Sequence, residues 1–507
     1  MIELPDFTPL KVTQRLHEPT AAVLDAFDHV AVLASASGTA AALRKLPYAA
    51  ALERLLARAK RNESKTVTAH LQNARATGLT LALATPGSAF NDLGFARRVV
   101  AESLRDRPRN LGVVAIGLHP TQAETALQNL IAAADAAALE LPTFKSEPRK
   151  RAARLQAVTL FAPGQRVTLA ATRARALGNN VARWLTALPP NRLSPAQYRK
   201  AIDELVAPYP IETGFLGERE LQRLNAGAFL AVAQGNATRD AGIVRLRYRP
   251  SGAARTGVAL VGKGVLFDTG GTNLKPFHGM LDMHTDMQGS AVALGALLAL
   301  AELRVPFAID AWLALTENRS SATAYKSQDV VHAANGTSIQ VIHTDAEGRM
   351  VLADTLALAA RERPQLIIDY ATLTGSCRVA LTDRYSGAFS NRAAANQLLI
   401  AAGAACGERV WPFPMDDDFD EALKSDVADV KQCAVESEGD HILAARFLRR
   451  FVPDDIPWIH LDLAASKHKG GLAHVPTDIT GFGVGLTLEL LRGQAQGPQD
   501  LAKKLAA

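Results

Sequence analysis

The chain has 507 residues, of which 48% are hydrophobic and 21% charged, and its formal net charge is +6 at pH 7. These values are ordinary for a globular protein with two or more domains. The only cysteines are Cys377, Cys406 and Cys433, an odd number without close pairing, which argues against a disulfide framework and against a thiolate zinc site.

The N-terminal sequence MIELPDFTPLKVTQRL has no basic stretch followed by an apolar core, so it does not match a signal peptide. The longest apolar helix candidate, Ala291 to Ala301, is too short to span a bilayer. We therefore expect a cytoplasmic protein without membrane association. A basic run, PRKRAAR at 148–154, is predicted to be a solvated surface loop, with a nucleic-acid patch as the alternative.

The N-terminal third of the chain alternates strand-like and helical stretches, which predicts an α/β domain over residues 1–168. Strand-like runs begin at His29, Gly78, Leu111 and Ala157. A further helix candidate, TRARALGNNVARWLTAL, ends at Pro189 and Pro190, which cannot continue a helix with normal hydrogen bonding. We expect this helix, over residues 169–190, to link two domains.

The rest of the chain, residues 191–507, predicts a larger α/β domain with a mixed central sheet. Its strand-like runs include GVALVGKGVLF, FAIDAWLAL, SIQVIHT, QLIIDYATLTG and WIHLDLA, and helical patterns such as GSAVALGALLALAEL separate several of them. In open α/β sheets the ligand lies outside the carboxyl ends of the strands. Candidate site residues fall at such ends: Lys263, Asp268, Asp345, Glu347 and Thr372.

Asp345, Glu347 and Arg349 stand at alternate positions directly after the apolar run SIQVI. If this segment continues a strand, all three side chains face one way. Two carboxylates on one side of a short segment are costly unless a cation lies between them. A bound metal ion is the simplest solution.

An earlier segment, VGKGVLFDTGGTNLKPFHGMLDMHTDM, adds Lys263, Asp268, Lys275 and Asp286 to this group. Four carboxylates carry a charge of about minus four, which two divalent cations would neutralise. The alternative is a structural ion-pair network, which is disfavoured because burying six charges without function is expensive. Taken alone, the glycines at 262 and 264 are more typical of a tight turn than of a binding loop.

These segments resemble the leucyl aminopeptidase (cytosol aminopeptidase) family, whose signature is close to Asn-Thr-Asp-Ala-Glu-Gly-Arg, preceded by Gly-Lys-Gly and Phe-Asp-Ser-Gly-Gly. The resemblance covers about residues 185 to 490 and continues through the motifs ALPPN at 187–191, TEN at 316–318, AYK at 324–326, ATLTG at 371–375 and HLDLA at 460–464. It implies an aminopeptidase that removes leucine-like N-terminal residues from short peptides with a free N-terminus.

The resemblance also implies the chemistry, namely a water that bridges two divalent metals, most often zinc or manganese. One metal would be held by Lys263, Asp268, Asp286 and Glu347, and the other by Asp268, Asp345 and Glu347. A lysine ligand must lose its proton, which a nearby pair of cations and desolvation both favour.

The remaining roles that the resemblance implies fall on six residues. Lys275 would stabilise the oxyanion of the tetrahedral intermediate. Arg349 would hold a bicarbonate ion that relays the proton from the attacking water. The pocket for the first side chain would be lined by Met283, Thr372 and Gly375, and Leu373 would contact the substrate through its backbone. His278 and His284 are expected to lie outside the ligand set.

The sequence departs from the family pattern at several places. His343 stands where most members have asparagine, and Thr269 replaces serine. The segment that begins with EGDH at 438–441 more usually begins with two glycines. The stretch ENRSSATAYKSQD also lacks glycines and prolines that are usual there. We interpret these changes as a divergent branch with altered specificity.

The family implies a homohexamer. Two other hypotheses stay open: a hexameric DNA-binding or scaffolding protein, and a metal-binding homologue of low activity.

Overall fold

The computed structural model describes residues 3–36, 39–146, 155–250, 256–436, 438–492 and 497–506. The basic run predicted at 148–154 lies outside these residues. The fold is α/β, as predicted, and the chain divides into two compact units. The first unit is Phe7–Ala176 with Gly470–Asp478, and the second is Met1–Asp6, Leu177–Lys469 and Ile479–Ala507.

The domain limits 1–168, 169–190 and 191–507 stay a prediction beside this division. A helix at Ala170–Thr186 covers most of the predicted linking helix, and the division falls inside it, after Ala176. Nothing in the sequence indicated that Gly470–Asp478 belongs to the first unit.

The first unit is built on six strands with helices between and after them. The strands are β1 (Lys11–Arg15), β2 (His29–Ser35), β3 (Thr66–His70), β4 (Gly78–Ala84), β5 (Asn110–Ile116) and β6 (Ala157–Phe161). The helices are α1 (Ala21–Leu24), α2 (Thr39–Leu43), α3 (Ala49–Arg61), α4 (Ala89–Ser103), α5 (Pro120–Ala138) and the start of α6 (Ala170–Thr186).

These strands form one sheet in the order β1-β6-β5-β2-β4-β3, in which only β3 runs antiparallel to its neighbour. Alternate residues of β2 enter two different cores, as period-two geometry requires. Ala31 and Leu33 pack with α4 and α5, whereas Val30 and Val32 pack with α3. Helices therefore cover both faces of the sheet.

The second unit has eleven strands among the described residues. They are β7 (Ile211–Gly217), β8 (Gly242–Tyr248), β9 (Thr256–Asp268), β10 (Ala308–Asn318), β11 (Val330–His332), β12 (Ser338–Gln340), β13 (Leu366–Ala371), β14 (Ser386–Ser390), β15 (Val410–Pro412), β16 (Val430–Lys431) and β17 (Trp458–Asp462). The main sheet has the order β15-β14-β17-β13-β9-β10-β8-β7, and a small sheet has the order β11-β12-β16.

Eleven α-helices follow α6 among the described residues. They are α7 (Pro195–Val206), α8 (Glu218–Arg223), α9 (Gly227–Ala233), α10 (Phe277–Met280), α11 (Gln288–Glu302), α12 (Glu347–Arg361), α13 (Gly375–Leu381), α14 (Ala395–Cys406), α15 (Asp440–Arg449), α16 (Val484–Arg492) and α17 (Pro498–Ala506).

The main sheet is mixed, as predicted. Strands β10, β9, β13 and β17 are mutually parallel, whereas β7, β8 and β14 each pair with a neighbour in antiparallel fashion. The carboxyl ends of the four parallel strands therefore meet at one edge of the sheet. This is the edge at which ligands bind in open α/β folds.

The glycines at 262 and 264 lie inside β9 rather than in a turn, so the tight-turn interpretation is wrong. A Cβ on Gly262 would lie 2.5 Å from the Cα of Ser290 in α11, and a Cβ on Gly289 would lie 2.1 Å from the carbonyl oxygen of Tyr370. The glycines allow α11 to pack directly on the backbone of β9 and β13. This close approach fixes the backbone of β9 at Lys263, next to α11 and β13.

The apolar run from Ala291 to Ala301 lies in α11, where every residue except Glu302 is buried. Burial inside the unit explains its composition, because a helix that is apolar all round must be surrounded by protein or lipid. Within the described ranges, no helix combines the length and the hydropathy needed to cross a membrane. The three cysteines are all buried, and none of them forms a disulfide bond.

Candidate active site

Polar side chains gather where the central parallel strands end. Asp268 is the last residue of β9, Asn318 the last residue of β10, and Thr372 follows β13 directly. Lys263 lies within β9, and Asp286 follows a short 3-10 turn at Met283–Thr285. The residues predicted from the GKG, DTGG and ATLTG segments are thus brought to one edge of the sheet.

Lys263 lies at the centre of this group with only 3% of its side chain exposed. Its Nζ is 2.8 Å from both carboxylate oxygens of Asp286 and 2.9 Å from Oε1 of Glu347, and it donates to the carbonyl oxygen of Thr372 at 3.0 Å. Burial disfavours the ammonium form, but the attraction of the carboxylates is larger and raises the pKa of Lys263. Lys263 is thus one positive centre of the site, paired with Asp286 and Glu347.

Lys275 forms a second positive centre. Its Nζ is 2.8 Å from Oδ2 of Asp268 and 2.6 Å from Oδ1 of Asp345. Burial again opposes its charge, and the carboxylates of Asp268, Glu347 and Asp345 together raise its pKa. Gly270 and Gly271, with φ of 85° and 66°, form the turn that carries the chain from Asp268 to Lys275.

The carboxylates of Asp268, Asp286 and Glu347 are buried, and each offers an oxygen such that the three oxygens lie within 4.8 Å of one another. Burial raises the pKa of Asp286 well above its usual value, and repulsion from Glu347 and Asp268 adds to this despite the attraction of Lys263. Burial and the same two neighbours raise the pKa of Asp345 to about 7. The cluster has more negative charge than the two lysines balance.

The donor set fits divalent metal ions. Oε2 of Glu347 is buried and has no hydrogen-bond partner among the described residues. An ionised carboxylate oxygen can only accept hydrogen bonds or bind a cation. A buried acceptor of this kind is rare unless a cation or water completes it. Oxygen ligands from carboxylates, with one amine nitrogen, suit zinc and manganese as well as magnesium.

The sequence prediction that Asp345, Glu347 and Arg349 project from one extended segment is wrong. Of the run SIQVI, only Ser338–Gln340 is a strand, and it lies in the small sheet rather than the main one. Asp345 lies in a turn, and α12 begins at Glu347. Residues two apart on a helix point about 200° apart, so Glu347 reaches Lys263 whereas Arg349 points elsewhere.

Arg349 is buried and its charge is balanced by a residue from α15. Its Nη2 is 2.8 Å from both carboxylate oxygens of Asp440, and its Nη1 donates to the carbonyl oxygen of Gln432 at 3.3 Å. Burial disfavours the charge of Arg349, but Asp440 and other neighbours outweigh it and raise the pKa. Sequence reasoning did not identify this partner.

Asn318 also supports the carboxylate cluster, although the sequence did not single it out as a site residue. Its Nδ2 donates to Oδ1 of Asp268 at 2.8 Å and to the carbonyl oxygen of Thr344 at 3.0 Å. The same Oδ1 of Asp268 accepts from the backbone N–H of Gly270 at 2.8 Å. These bonds orient Asp268 with its other oxygen toward Lys275. The motif TEN, which contributed to the family resemblance, was the available signal.

The residues predicted to contact substrate are only partly gathered around the cluster. Thr372 donates from Oγ1 to Oδ1 of Asp286 at 2.7 Å, and Met283 is half-buried in the turn before Asp286. The N–H of Leu373 is bonded to Oδ1 of Asp462 at 3.1 Å, so only its carbonyl is available for a backbone contact. A Cβ on Gly375 would meet open space.

The histidines of the HGMLDMH stretch stay outside the carboxylate cluster. His278 is exposed. His284 is half-buried, and this burial is the main cause that lowers its pKa. Within the described residues, the group of acidic, histidine and cysteine side chains that could hold a metal consists of Asp268, Asp286 and Glu347.

Residues 180–488 match the model of the cytosol aminopeptidase family, catalytic domain. A probable cytosol aminopeptidase of Syntrophotalea carbinolica is 42% identical over 328 residues, which cover 64% of this chain and 65% of that protein. A probable cytosol aminopeptidase of Polaromonas naphthalenivorans is 40% identical over 391 residues, which cover 76% of this chain and 74% of that protein.

Two solved structures have a similar fold over almost the whole chain. A mutant of tomato leucine aminopeptidase superposes with a TM-score of 0.81 at 26% identity, covering 96% of this chain and 97% of that chain. The bottromycin maturation enzyme BotP in complex with Mn gives a TM-score of 0.78 at 30% identity, covering 92% of this chain and 99% of that chain. The chain therefore belongs to the cytosol aminopeptidase family of hydrolases.

Proposed function

We propose that this protein is a metal-dependent aminopeptidase that removes leucine-like N-terminal residues from short peptides. The observation that carries the proposal is the buried convergence of Asp268, Asp286 and Glu347 at the carboxyl edge of the sheet, with Lys263 and Lys275 as the only cations bonded to them among the described residues. The manganese complex of the similar enzyme BotP supports a divalent metal as the missing partner.

We assign Lys263, Asp268, Asp286 and Glu347 to one metal and Asp268, Asp345 and Glu347 to the other, with zinc or manganese as the ions. When bound, such ions supply Lewis acidity, which polarises a peptide carbonyl and lowers the pKa of a coordinated water. Lys263 can act as a ligand only after it loses the proton that the carboxylates now stabilise. Loading the site therefore releases a proton and is weakened by acid.

Lys275 would stabilise the negative charge that develops in the reaction. Its ammonium has three N–H donors, of which Asp268 and Asp345 accept two. The third is available to the oxyanion of the tetrahedral intermediate, and 16% of the side chain is exposed. The carboxylate of Asp286 would accept a hydrogen bond from the free α-amine of the substrate, which restricts cleavage to the first residue.

The pocket for the first side chain would be lined by Met283, Thr372 and Gly375, with the carbonyl of Leu373 contacting the substrate backbone. The absence of a side chain at Gly375 leaves room there, since an added Cβ would meet nothing within 4 Å. A homohexamer in the cytoplasm completes the proposal. The basic run at 148–154, which gave slight support to the alternative of a DNA-binding or scaffolding protein, lies outside the described residues, and we do not carry that alternative forward.

Metal removal tests the proposal directly. We expect the purified protein to contain divalent metal, to lose hydrolysis of leucyl peptides on chelation, and to regain it with manganese or zinc. A peptide with an acetylated N-terminus should not be cleaved, because it cannot present a free amine to Asp286. Metal analysis and peptide hydrolysis measure these outcomes. Cleavage of the acetylated peptide, or full activity after complete metal removal, would contradict the proposal.

Gly348 provides a test of the Lys263 assignment. A Cβ at this position would lie 2.6 Å from Nζ and 2.7 Å from Cε of Lys263. The amine is held by Asp286, Glu347 and the Thr372 carbonyl and cannot move aside without losing these bonds. We expect Gly348→Ala to weaken metal binding by about 10- to 100-fold, as measured by titration of the metal-free protein.

Gly94→Ala is the matched control for this substitution, because a Cβ there would meet only Nη1 of Arg98 at 3.9 Å. We expect it to leave metal affinity unchanged. Unaltered affinity in Gly348→Ala would show that Lys263 is not a ligand.

A further inference from the structure

The anion that faces the buried guanidinium of Arg349 belongs to the chain itself. Both carboxylate oxygens of Asp440 lie 2.8 Å from Nη2, and the side chain of Arg349 is only 2% exposed. Nη1 donates to the carbonyl oxygen of Gln432. Asp440 therefore already occupies Nη2, and Nε is the guanidinium nitrogen without a hydrogen-bond partner among the described residues.

The position of Asp440 is fixed by its backbone. It is the first residue of α15, where the helix dipole favours a negative charge. Gly439 precedes it with φ of 62°, which redirects the chain into the helix. The next residue, His441, bonds to Oγ of Ser376 through its N–H at 2.9 Å and its Nδ1 at 3.1 Å. Ser376 lies in the first turn of α13, directly after the predicted substrate residue Gly375.

The family resemblance implies a bicarbonate ion at Arg349, but the described residues do not fit it. A bicarbonate on the guanidinium would compete with Asp440 for Nη2 and would meet the charge of a second carboxylate, Glu347, which also acts on Arg349. The usual family sequence begins this segment with two glycines, which bring no carboxylate. Here EGDH places Asp440 in that segment.

We propose that Asp440 is the resident anion of Arg349, in place of bicarbonate, and that peptide hydrolysis by this protein does not depend on bicarbonate. Asp440 is a positioning residue, because it acts by holding and neutralising Arg349. The side chain of Asp440 is 28% exposed, so a small anion in solvent could reach the position of its carboxylate. The inference deepens the proposed function and rests on it.

The test compares wild type with Asp440→Gly and Asp440→Asn, both metal-loaded, in buffer freed of carbon dioxide and then with millimolar bicarbonate. Wild-type kcat/KM for a leucyl peptide should be the same in both buffers. Asp440→Gly removes the anion and opens space, so we expect kcat/KM to fall by about 10- to 100-fold and to recover with bicarbonate. Asp440→Asn also loses the charge but fills the space, and bicarbonate should not restore it.

Thermal unfolding gives a readout that does not require turnover. Bicarbonate should raise the Tm of Asp440→Gly by about 2 °C or more, because it binds the folded state only, and should not change the Tm of wild type or Asp440→Asn. Glu438→Gln is the matched control, since it removes an exposed carboxylate two residues away. It should behave as wild type in both assays.

Three outcomes would overturn the proposal: a wild-type rate that rises with bicarbonate, an Asp440→Gly variant that keeps full activity without it, or an Asp440→Asn variant that bicarbonate restores. If Asp440→Gly does not fold, the wild-type and Asp440→Asn results still decide the question. If wild type hydrolyses no peptide, the proposed function has failed, and the Tm measurements test the anion site separately.

Discussion

Glu347→Gln is expected to abolish most peptidase activity, lowering kcat/KM for leucyl peptides by about 1,000-fold, because the carboxylate that we assign to both metals would lose its charge. The substitution keeps the size of a side chain that is only 2% exposed, so the packing of α12 is retained. It replaces the unpartnered buried oxygen Oε2 or the Lys263 acceptor Oε1 with an amide nitrogen, which cannot bind a cation. Metal content should fall together with activity.

The measurement is kcat/KM combined with metal analysis of the same preparation. Glu489→Gln makes the same chemical change at an exposed position of α16 and should leave both values unchanged. If Glu347→Gln keeps wild-type metal content and rate, the carboxylate cluster is not the metal site. If wild type is as slow as the variant while retaining its metals, the protein is the low-activity metal-binding homologue.

Lys275→Ala should lower kcat by about 100- to 1,000-fold with little change in KM, since the hydrogen bond that we propose for Lys275 would be made to the transition state rather than to the bound substrate. Metal content should be retained, because Lys275 is not among the assigned ligands. This separates it from Glu347→Gln, in which both metal and activity are lost. Steady-state kinetics with a leucyl peptide, after metal analysis, gives the comparison.

Lys469→Ala serves as the control for Lys275→Ala, because it removes an exposed lysine of the same unit. In the metal-free protein, Lys275 is the partner of both Asp268 and Asp345, so its removal should also lower the Tm of that form more than the Tm of the loaded form. A Lys275→Ala variant that retains the wild-type kcat would exclude oxyanion stabilisation by this residue.

The fold could be predicted best where strands are buried on both faces. The runs that begin at His29, Gly78, Leu111 and Ala157 are β2, β4, β5 and β6, the interior strands of the first sheet. The sequences KVTQR and TVTAH, which form β1 and β3, gave no comparable signal. Both are edge strands, whose exposed positions accept polar residues. Apolar content alone therefore does not identify them.

The site could be predicted where its residues share a short motif. Lys263, Asp268, Lys275, Asp286, Asp345 and Glu347 were expected together and lie together. Asn318 and Asp440 were missed because they reach their partners, Asp268 and Arg349, through tertiary contacts across fifty or more residues. The predicted orientation of Arg349 was wrong because the chain changes from a turn to a helix at Glu347. The alternation of side chains expected after a strand did not indicate this change.

The segment Gly470–Asp478, which packs with the first unit, affects when that unit can complete its folding during synthesis. Arg97 of α4 donates to the carbonyl oxygens of Gly470 and Val475 at 3.0 and 2.9 Å, and Ala473 packs with Leu93 and Ala132. The N-terminal unit thus obtains part of its packing from a segment that a ribosome synthesises nearly three hundred residues after α6. Although domains usually fold in order of synthesis, this part of the unit's packing can form only when translation is almost finished.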